Sequence, residues 1–383
     1  MLGALSRRRF VGGGLATAGL SALGCGGAGR LGAFALAGGE LLGTLPLVDA
    51  DDPASGRRTG QGLDARRFTD LSAIAPAALV TPASAYYLRT GAPDGLAGAA
   101  DWRIALDGRV EAPLGLTLAD LGAPVDRGTF VMECSGNDTR VGFALMSAGV
   151  WRGVPIAALL GRVRRTAAAT QVLVEGYDRF ASPSVTSTPG ASWIFPAGAL
   201  EAAGAFLGTH LEGEPIDRDH GAPVRLYVPG FYGCACIKWV TRIAWVGADQ
   251  PATEHMREFA QRTLQAGVPG LAREFILPVI DQAAMVIRVE RWRVAGRVRH
   301  RIVGILWGGE RPTDRLALRA GRGAAFVPVP VEPMTTNATW SLWSMAWDPP
   351  SPGRYELACR IDDPRVRQRR LDAGWYARTV VVT

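Results

Sequence analysis

Lysine is almost absent from this chain of 383 residues: Lys238 stands alone among 42 basic residues, and the others are arginine. A planar guanidinium and a compact ammonium suit different sites, so a position that keeps lysine here is a candidate for a specific role. The segment Val228–Ile243 around it has Pro-Gly and Gly turn signals before an apolar run. Main-chain amides in such a turn can face an anion. Two interpretations stay open: a residue retained by chance under a strong arginine bias, or a functional cation.

Cysteine and histidine are scarce, which excludes several classes of protein. Five cysteines are too few for a disulfide framework in a chain of this length, and Cys234 and Cys236 are too closely spaced for an easy internal bridge. The sequence contains no Cys-x-x-Cys-His haem attachment site and no zinc-finger spacing. The four histidines form no recognisable pairing with a cysteine. At least one unpaired cysteine is therefore expected to have another use.

The charge balance does not indicate nucleic acid as a partner. The net charge is +7 and the isoelectric point is about 9.5, but the arginines are scattered apart from short clusters at Arg7–Arg9 and Arg365–Arg370. No aromatic RNA-binding motif accompanies them. A small anionic substrate or an acidic redox partner accounts for the charge. With 48% hydrophobic and 20% charged residues, the chain is globular and long enough for two domains.

The N-terminus has the features of a targeting segment. Paired arginines in Ser6–Val11 precede the weakly apolar, glycine-rich run Gly12–Leu23, as in a twin-arginine export signal. The alternative is an ordinary secretory signal or a membrane anchor, although the run is too short to span a bilayer comfortably. Cys25 follows a lipoprotein-like box, so lipid anchoring is a further alternative. We predict an export signal at 1–37, a linker and N-terminal extension at 38–80, and a periplasmic or exported protein.

The rest of the chain divides into two regions of different texture. Between residues 81 and 262, strand-like runs such as Trp102–Val110 and Phe130–Cys134 alternate with short helical segments, which is typical of an α+β domain. From 263 to 383, short β-like runs are separated by Gly, Pro and Asp at fairly even spacing. That pattern is typical of an immunoglobulin-like sandwich. The predicted fold class is therefore α+β, a mixed α/β domain followed by an all-β sandwich.

Cys134 ends a predicted buried strand beside the polar turn Ser135–Asp138. Main-chain amides and Asn137 would stabilise a thiolate at this position and leave it partly accessible. Three roles are open. The thiol could be a nucleophile, although a nucleophile usually needs a basic partner. It could be an inert core thiol, or a soft ligand to a transition metal that another cofactor also holds.

Several segments taken together resemble the sulfite oxidase family of molybdopterin-dependent oxidoreductases. They follow one another with collinear order and spacing from residue 85 to residue 245, and they are Tyr87–Pro93, Phe130–Asn137, Trp151–Pro155, Glu175–Asp178, His220–Arg225, Val228–Gly233 and Ile237–Trp239. The β-rich C-terminal region is similar to the dimerisation domain of that family. The resemblance implies a molybdopterin-binding domain at 81–262 and a dimerisation domain at 263–383.

The resemblance also implies roles for individual residues. Cys134 would be the protein's sulfur ligand to molybdenum. The cofactor would be contacted by Tyr87, Arg89, Asp178, His220, Arg225, Cys236, Ile237 and Lys238. Because the pterin ends in a phosphate, the Arg225 fork and the Lys238 point charge are the expected phosphate ligands. Arg89, Trp151 and Arg140 would face an oxyanion substrate near the metal. The alternative for Trp151 is an ordinary core position.

The chain departs from the family pattern mainly in the substrate pocket. Gly91 stands where family members usually carry histidine, and Thr139 stands at the position of an arginine, with Arg140 one step later. Phe259 aligns with a substrate-pocket tyrosine. A pocket that lacks a hydrogen-bond partner discriminates sharply between substrates, so these departures leave the physiological substrate open.

The sequence thus predicts an exported molybdenum-cofactor oxidoreductase that oxidises sulfite or a related sulfur oxyanion by oxygen-atom transfer. We expect no haem in this chain, a separate electron acceptor such as cytochrome c, and a homodimer formed through the C-terminal domain. One alternative is a sulfoxide reductase of the same superfamily, but the Ser-Gly-Asn turn after Cys134 favours the sulfite oxidase branch. The other is a non-catalytic envelope binding protein, which Cys134, Arg225 and Lys238 argue against.

Overall fold

A computed structural model describes residues 36–48, 56–138, 141–331, 338–367 and 377–383. The predicted export signal falls almost entirely within residues 1–35, outside the described residues, and so do Cys25, Thr139 and Arg140. Within the described residues, no helix is both long and apolar enough to cross a membrane.

The first and larger part of the chain combines short strands with very short helices. Its strands are β1 (Glu40–Leu45), β2 (Arg66–Arg67), β3 (Leu88–Arg89), β4 (Ile104–Gly108), β5 (Leu114–Leu116), β6 (Val125–Glu133), β7 (Met146–Pro155), β8 (Gln171–Gly176), β9 (Ser192–Pro196), β10 (Phe206–Leu211), β11 (Glu214–Pro215), β12 (Arg225–Tyr227) and β13 (Val240–Val246). Its α-helices are α1 (Ile156–Leu160), α2 (Ala197–Ala202) and α3 (Glu254–Glu258). Single 3₁₀ turns lie at Gly62–Asp64, Leu71–Ala73, Ala83–Ala85, Ala99–Asp101, Ala119–Leu121, Gly233–Ala235, Gln261–Thr263 and Ala272–Glu274.

The C-terminal part is all β. Its strands are β14 (Ala283–Val294), β15 (Arg297–Trp307), β16 (Leu316–Ala320), β17 (Val327–Pro328), β18 (Ser341–Trp347), β19 (Gly353–Ile361) and β20 (Ala377–Val382). They form two four-stranded antiparallel sheets, ordered β1-β14-β15-β18 and β17-β16-β19-β20. The two sheets enclose an apolar core, as in a β-sandwich. The predicted α+β class with a C-terminal sandwich is confirmed.

The first domain is built on two further sheets. One has the order β11-β10-β7-β6, with β12 paired to β10, and the other has the order β5-β4-β13-β8-β9. The pairing of β4 with β13 is parallel and that of β13 with β8 is antiparallel, so the second sheet is mixed. Large side chains such as Trp193, Phe195 and Phe206 are fully buried in the shared core. The loops at the ends of β3, β6, β8 and β12 meet above this core, and they carry most of the predicted site residues.

The β14–β15 pair is buried on both of its faces. Alternate residues of a strand point to opposite faces of the sheet. On β14, Ala284 and Val286 pack into the sandwich, whereas Met285 and Ile287 pack against the first domain. Both faces are therefore apolar, which explains the continuous hydrophobic runs in this part of the sequence.

Part of the segment predicted as a linker is a strand. β1 pairs with β14 in antiparallel register, from Glu40 opposite Arg293 to Leu45 opposite Val289. The prediction missed it because one short amphipathic strand that adds to a distant sheet carries little local signal. Leu45 is buried in the sandwich core, so the interaction is one of packing as well as main-chain pairing. The N-terminal extension therefore belongs to both domains.

We predict that Gly304→Ala destabilises the sandwich by about 1–3 kcal/mol, because added atoms in a tightly packed core force neighbouring groups apart. A Cβ atom on Gly304 would lie 2.1 Å from a ring carbon of Trp343. Urea unfolding would measure the effect. The control is Gly115→Ala in β5, where a Cβ meets nothing within 4 Å, and we expect a change within about 0.5 kcal/mol. Equal effects of the two substitutions would contradict this account.

Candidate functional site

One cleft collects most of the residues that the sequence singled out. It encloses about 880 Å³, including its open mouth. The predicted residues that line it are Tyr87, Arg89, Cys134, Asp178, His220, Arg225, Cys236, Ile237 and Lys238. These residues span 152 positions of sequence, so the folded chain brings together segments that are far apart.

Cys134 reaches the cleft because of the alternation of β6. Met132 and Cys134 face the cleft and belong to the core of the first domain, whereas Val131 packs on the opposite side against the sandwich. The thiol is 7% exposed, and its Sγ accepts a hydrogen bond from the amide of Gly136 at 3.4 Å. A thiolate at this position is thus supported by a main-chain amide and open to a ligand on one side.

Asn137 does not contact the thiol, contrary to the expectation from the sequence. Its Nδ2 donates to Oε1 of Glu133 at 3.2 Å, and its Oδ1 accepts from the amide of Leu145 at 3.0 Å. The side chain therefore closes the turn after Cys134 onto the two neighbouring strands. Its contribution to the site is to hold the turn in place.

Lys238 lines the cleft, but its ammonium group is enclosed by the protein. Its Nζ donates to the carbonyl oxygens of Thr90 at 2.6 Å, Asp219 at 2.7 Å and Arg89 at 3.3 Å. Burial lowers the pKa of Lys238 well below its ordinary value. Three acceptors match the three protons of an ammonium group. The lysine thus joins the loop of Arg89 to the loop of Asp219. In this arrangement its three protons are used within the protein, so the expected direct bond to the cofactor phosphate is not formed by a free N–H.

The loop held by Lys238 has a strained backbone. Thr90 has a φ of +77°, which is unusual for a β-branched residue. Such conformations persist only where the surroundings over-determine them, and they cluster at functional sites. The carbonyl groups of Arg89 and Thr90, on either side of the Thr90 Cα, both accept hydrogen bonds from the Lys238 ammonium group. These bonds offset the strain locally. The result is a fixed position for Arg89.

Arg225 is buried below the cleft with its two terminal nitrogens engaged. Nη1 donates to the carbonyl of His220 and Nη2 to that of Cys236, both at 3.0 Å. The Nε atom is buried and has no hydrogen-bond partner among the described residues. Both nitrogens of the predicted two-pronged fork are thus committed to protein acceptors, and Nε is the guanidinium nitrogen that has no partner among the described residues.

Tyr87, His220 and Gly233 form a closely packed wall. The Nε2 of His220 lies 3.3 Å from the carbonyl oxygen of Tyr87, and its Nδ1 lies 3.0 Å from Oδ1 of Asp217. A Cβ on Gly233 would lie 2.7 Å from the hydroxyl oxygen of Tyr87, so only glycine fits there without a shift. The predicted ligands Cys236 and Ile237 follow this glycine, and both are buried.

Asp178 binds the loop on the opposite wall. Its Oδ2 accepts hydrogen bonds from the amides of Gly190 and Ala191, the latter at 2.7 Å. Burial raises the pKa of Asp178 to about 6, although the bond from Ala191 acts in the other direction. The carboxyl group therefore titrates near neutral pH and positions the loop that borders the cleft.

A cluster of arginines surrounds the thiol. Arg89 lines the cleft, and Arg66 lies directly opposite it in the β2–β3 pair. Burial lowers the pKa of both side chains, that of Arg66 to about 10 with a further contribution from Arg89. The positive charge of Arg262 lowers the pKa of Arg89 further, and the negative charge of Glu258 acts in the opposite direction. Arg66 was missed because it lies in the predicted extension, outside every recognised motif.

Helix α3 adds His255 and Glu258, which the motifs did not indicate, beside Phe259, which the sequence had aligned with a pocket residue. His255, Glu258 and Phe259 line the cleft one helical turn apart. The Nδ1 of His255 accepts from the amide of Ser192 at 3.1 Å, and burial lowers its pKa to about 4. The ring is therefore neutral at physiological pH, with its remaining proton on Nε2. The alignment of Phe259 with a pocket residue, together with helical spacing, was the signal that could have identified His255.

Trp151 does not line the cleft. It is fully buried, with its ring centroid 4.8 Å from that of Tyr227 and 5.9 Å from that of Tyr86. Its position on β7 faces β10 and β12, so the side chain fills the core beneath the site. The predicted contact with substrate is corrected to the core position that the sequence also allowed. Arg140, the other predicted substrate contact, lies outside the described residues.

The space beside Gly91 is filled by an ion pair. Arg58 Nε lies 2.7 Å from Oδ2 of Asp219, and a Cβ on Gly91 would lie 2.9 Å from Cβ of Ala65 and 3.0 Å from a nitrogen of Arg58. A histidine at position 91 would clash with both. The departure from the family pattern at Gly91 is therefore accompanied by a change in its neighbours.

Comparison with known proteins gives the same result as the motifs. Residues 91–254 match the family described as oxidoreductase molybdopterin binding domain. The chain is 31% identical over 182 residues to the inducible nitrate reductase (NADH) 2 of Glycine max, covering 43% of this chain and 20% of that protein. It is 30% identical over 214 residues to nitrate reductase (NADH) 2 of Phaseolus vulgaris, covering 51% and 24%. The chain thus spans about a quarter or less of the length of these relatives.

The fold as a whole is similar to a solved structure, the sulfane dehydrogenase SoxCD from Paracoccus pantotrophus. The TM-score is 0.62 at 18% sequence identity, and the similarity covers 86% of this chain and 92% of that chain. This likeness extends through both domains, beyond the matched family segment. At this identity the likeness is one of fold, and the family match confirms the predicted molybdopterin-binding domain over residues 91–254.

We predict that Lys238→Arg lowers molybdenum loading, by roughly 10- to 100-fold in affinity. A planar fork cannot direct three donors at the three carbonyls that the ammonium satisfies, so the Arg89 loop would shift. Metal analysis and pterin fluorescence of the purified variant would measure loading. The control is Arg242→Lys, the opposite exchange on a partly exposed ion pair with Asp107 and Glu175. Normal loading of Lys238→Arg would refute a specific role for the lysine.

Asp178→Asn should change how stability depends on pH. The folded protein holds the Asp178 proton up to about pH 6, against an ordinary value of 3.8. Between these values the native state binds more protons than the unfolded state, so this group lowers the free energy of unfolding as pH rises. Asparagine removes that dependence, and the Tm of the variant relative to wild type should rise from pH 4 to pH 7. We would measure cofactor-free protein; a Tm difference that is the same at both pH values would contradict the prediction.

Proposed function

We propose that this chain, whose residues 91–254 match a molybdopterin-binding oxidoreductase domain, belongs to the sulfite oxidase family and oxidises sulfite or a related sulfur oxyanion by oxygen-atom transfer. One observation carries the proposal: the Cys134 thiol and the Arg89 guanidinium line the same cleft. A soft ligand for a transition metal and a cation for an oxyanion thus lie together. The anion would bind on the arginine side of the thiol.

The residues of the cleft suit a molybdenum–molybdopterin cofactor. Cys134 would be the ligand to molybdenum, and the buried, unpartnered Nε of Arg225 offers one donor to an anionic group. Because Gly233 has no side chain, its main chain lies close to the hydroxyl of Tyr87 at the wall of the cleft. Asp178 and His220 hold the loops on either side. When bound, the cofactor supplies two-electron oxygen-atom chemistry, while the protein supplies binding, orientation and electrostatics.

The cations in and beside the cleft hydrogen-bond mainly to neutral groups, and their positive field is balanced in part by Asp64, Asp217, Asp219 and Glu258. Lys238 donates to three carbonyls, and Arg225 donates to two carbonyls and to the sulfur of Met132. Arg66 donates to the carbonyls of Leu63 and Ala65 and to hydroxyl groups. Carbonyl dipoles satisfy the donors without cancelling the charge. In a cleft of low dielectric constant, this field favours an anionic cofactor and an anionic substrate.

The electron path and the cellular setting follow as further proposals. Two electrons leave the substrate in each turnover, and they would pass to a separate acceptor such as a cytochrome c. The twin-arginine-like segment supports export, so the acceptor would be a periplasmic or envelope haem protein. Residues 263–383 would form the homodimer contact, as the resemblance implies. Gel filtration with light scattering would test the dimer, and signal cleavage in an export-competent host would test the export.

We expect Cys134→Ser to retain most of its molybdenum and pterin but to lose turnover, because the other cofactor contacts do not depend on the thiolate. Metal analysis and sulfite-dependent reduction of cytochrome c, measured on the same sample, give the two readouts. Cys359→Ala is the control, since that thiol is buried in the sandwich core away from the cleft. Unchanged turnover in Cys134→Ser would refute the ligand assignment.

The substrate is tested on the wild-type holoenzyme with three assays. Sulfite oxidation is compared with reduction of a sulfoxide and with reduction of nitrate, the substrate named for the plant relatives. The proposal requires sulfite, or another sulfur oxyanion, to be turned over with the highest kcat/KM. Turnover of a sulfoxide with no response to millimolar sulfite would sink the proposal, and absence of molybdenum in protein from a cofactor-competent host would indicate a binding protein.

A further inference from the structure

A fully buried carboxyl group stands directly before Cys134, the proposed ligand to molybdenum. Glu133 is 0% exposed and lies on the face of β6 opposite to Cys134. Its Oε2 accepts from Nε1 of Trp307 at 2.8 Å, and its Oε1 accepts from Nδ2 of Asn137 at 3.2 Å. Burying a charged group is costly unless several donors satisfy it. An apolar side chain would have been the simpler choice at this apolar boundary.

The two donors come from different parts of the fold. Asn137 belongs to the turn that follows Cys134, and its Oδ1 also accepts from the amide of Leu145. Trp307 is the last residue of β15 in the sandwich and is itself fully buried. The carbonyl of Trp307 accepts a hydrogen bond from Nε2 of Gln282 at 2.8 Å, which holds this end of β15 and its indole ring in place. Glu133 is thus the link between the sandwich and the cysteine turn.

A second contact fixes the same strand. The amide of Val131 donates to the carbonyl of Ala338 at 2.7 Å, and the Val131 side chain packs among Met285, Ile305 and their neighbours. The sandwich therefore holds β6 through residues 131 and 133, which alternate with the two cleft-facing residues. A shift of the sandwich at either point would move Cys134 directly.

We propose that Trp307 is a positioning residue for the metal site, acting through Glu133 and Asn137 to orient the Cys134 sulfur. This inference rests on the proposed function, because it assumes that Cys134 is a metal ligand. The sandwich domain then has a part in the site, in addition to any part in dimerisation. Groups that hydrogen-bond behind a metal ligand fix its orientation, and their loss typically reduces affinity or activity by about 10- to 100-fold.

The test compares two buried tryptophans of the same sandwich. Trp307→Phe removes the indole N–H that Glu133 accepts and keeps an aromatic ring in the core. Trp343→Phe is the matched control, because Trp343 is 1% exposed and its Nε1 has no hydrogen-bond partner among the described residues. Both changes cost similar packing, and only the first removes a bond to the cysteine turn.

Three readouts separate positioning from general stability. The first is sulfur coordination of molybdenum in the holoenzyme by X-ray absorption. The second is the rate at which iodoacetamide alkylates Cys134 in protein made without the cofactor, with the modified peptide identified by mass spectrometry. The third is kcat with its pH profile. For Trp307→Phe we expect a weakened cysteine–molybdenum bond, faster alkylation and a kcat lower by about 10- to 100-fold, whereas Trp343→Phe should match wild type in all three.

A lower Tm in Trp307→Phe, with coordination, alkylation and kcat as in wild type, would overturn the inference. Equal changes in both tryptophan variants would overturn it as well. If Trp307→Phe does not fold, Glu133→Gln replaces it, because it keeps the shape and turns one acceptor into a donor facing a donor. Failure of the proposed function is recognised separately in the wild-type protein, which would then lack molybdenum or show no turnover of sulfite or another sulfur oxyanion.

Discussion

The structure depends on the end of one strand, where residues 131–133 of β6 are buried between the two domains. β6 separates two cores: Val131 and Glu133 face the sandwich, and Met132 and Cys134 face the cleft. Two-sided burial removes the freedom of the strand to slip, because a shift of one residue would exchange the two faces completely. The register of β6 is therefore set by both domains at once. The position of the Cys134 thiol follows from that register, and so does the position of the loop at the end of β6.

The second constraint is electrostatic. Lys238, Arg225 and Arg89 line the cleft, and Arg66 lies opposite Arg89 in the β2–β3 pair. Nearly all the hydrogen bonds of these cations go to carbonyl oxygens and hydroxyl groups. Buried cations are usually expected to pair with carboxylates. Here the carboxylates lie close by without taking most of the hydrogen bonds: Asp217 and Asp219 act on Lys238, Glu258 acts on Arg89, and Asp64 acts on Arg89 and Arg66. The lowered pKa values of Lys238, Arg89 and Arg66 reflect the same desolvation. An anion that enters the cleft would offset the cost of holding these charges away from water.

Much of the site was predictable because its residues lie in short contiguous motifs. Tyr87, Arg89, Cys134 and Asp178 each stand at the end of a strand-like run, where a turn exposes them to a common edge. Arg66 and His255 lacked such a signal, and their roles appear only when distant segments pack together. Strand β1 was missed for the same reason, since its partner β14 lies more than 200 positions away. Trp151 was ambiguous in the sequence, because an aromatic residue beside a motif suits a core as well as a pocket.

The sequence by itself determined which chemical groups are present: a soft thiol, an excess of guanidinium groups and a single ammonium group. Only the tertiary structure decided which of their atoms are free. Lys238 meets the carbonyls of residues 148 and 149 positions earlier, which leaves it no proton for a phosphate. The Nε of Arg225 has no partner in the part of the chain that the structure describes, and Cys134 keeps one open side. The physical reason is that hydrogen-bond saturation depends on partners supplied by other segments, and no local pattern in the sequence records them.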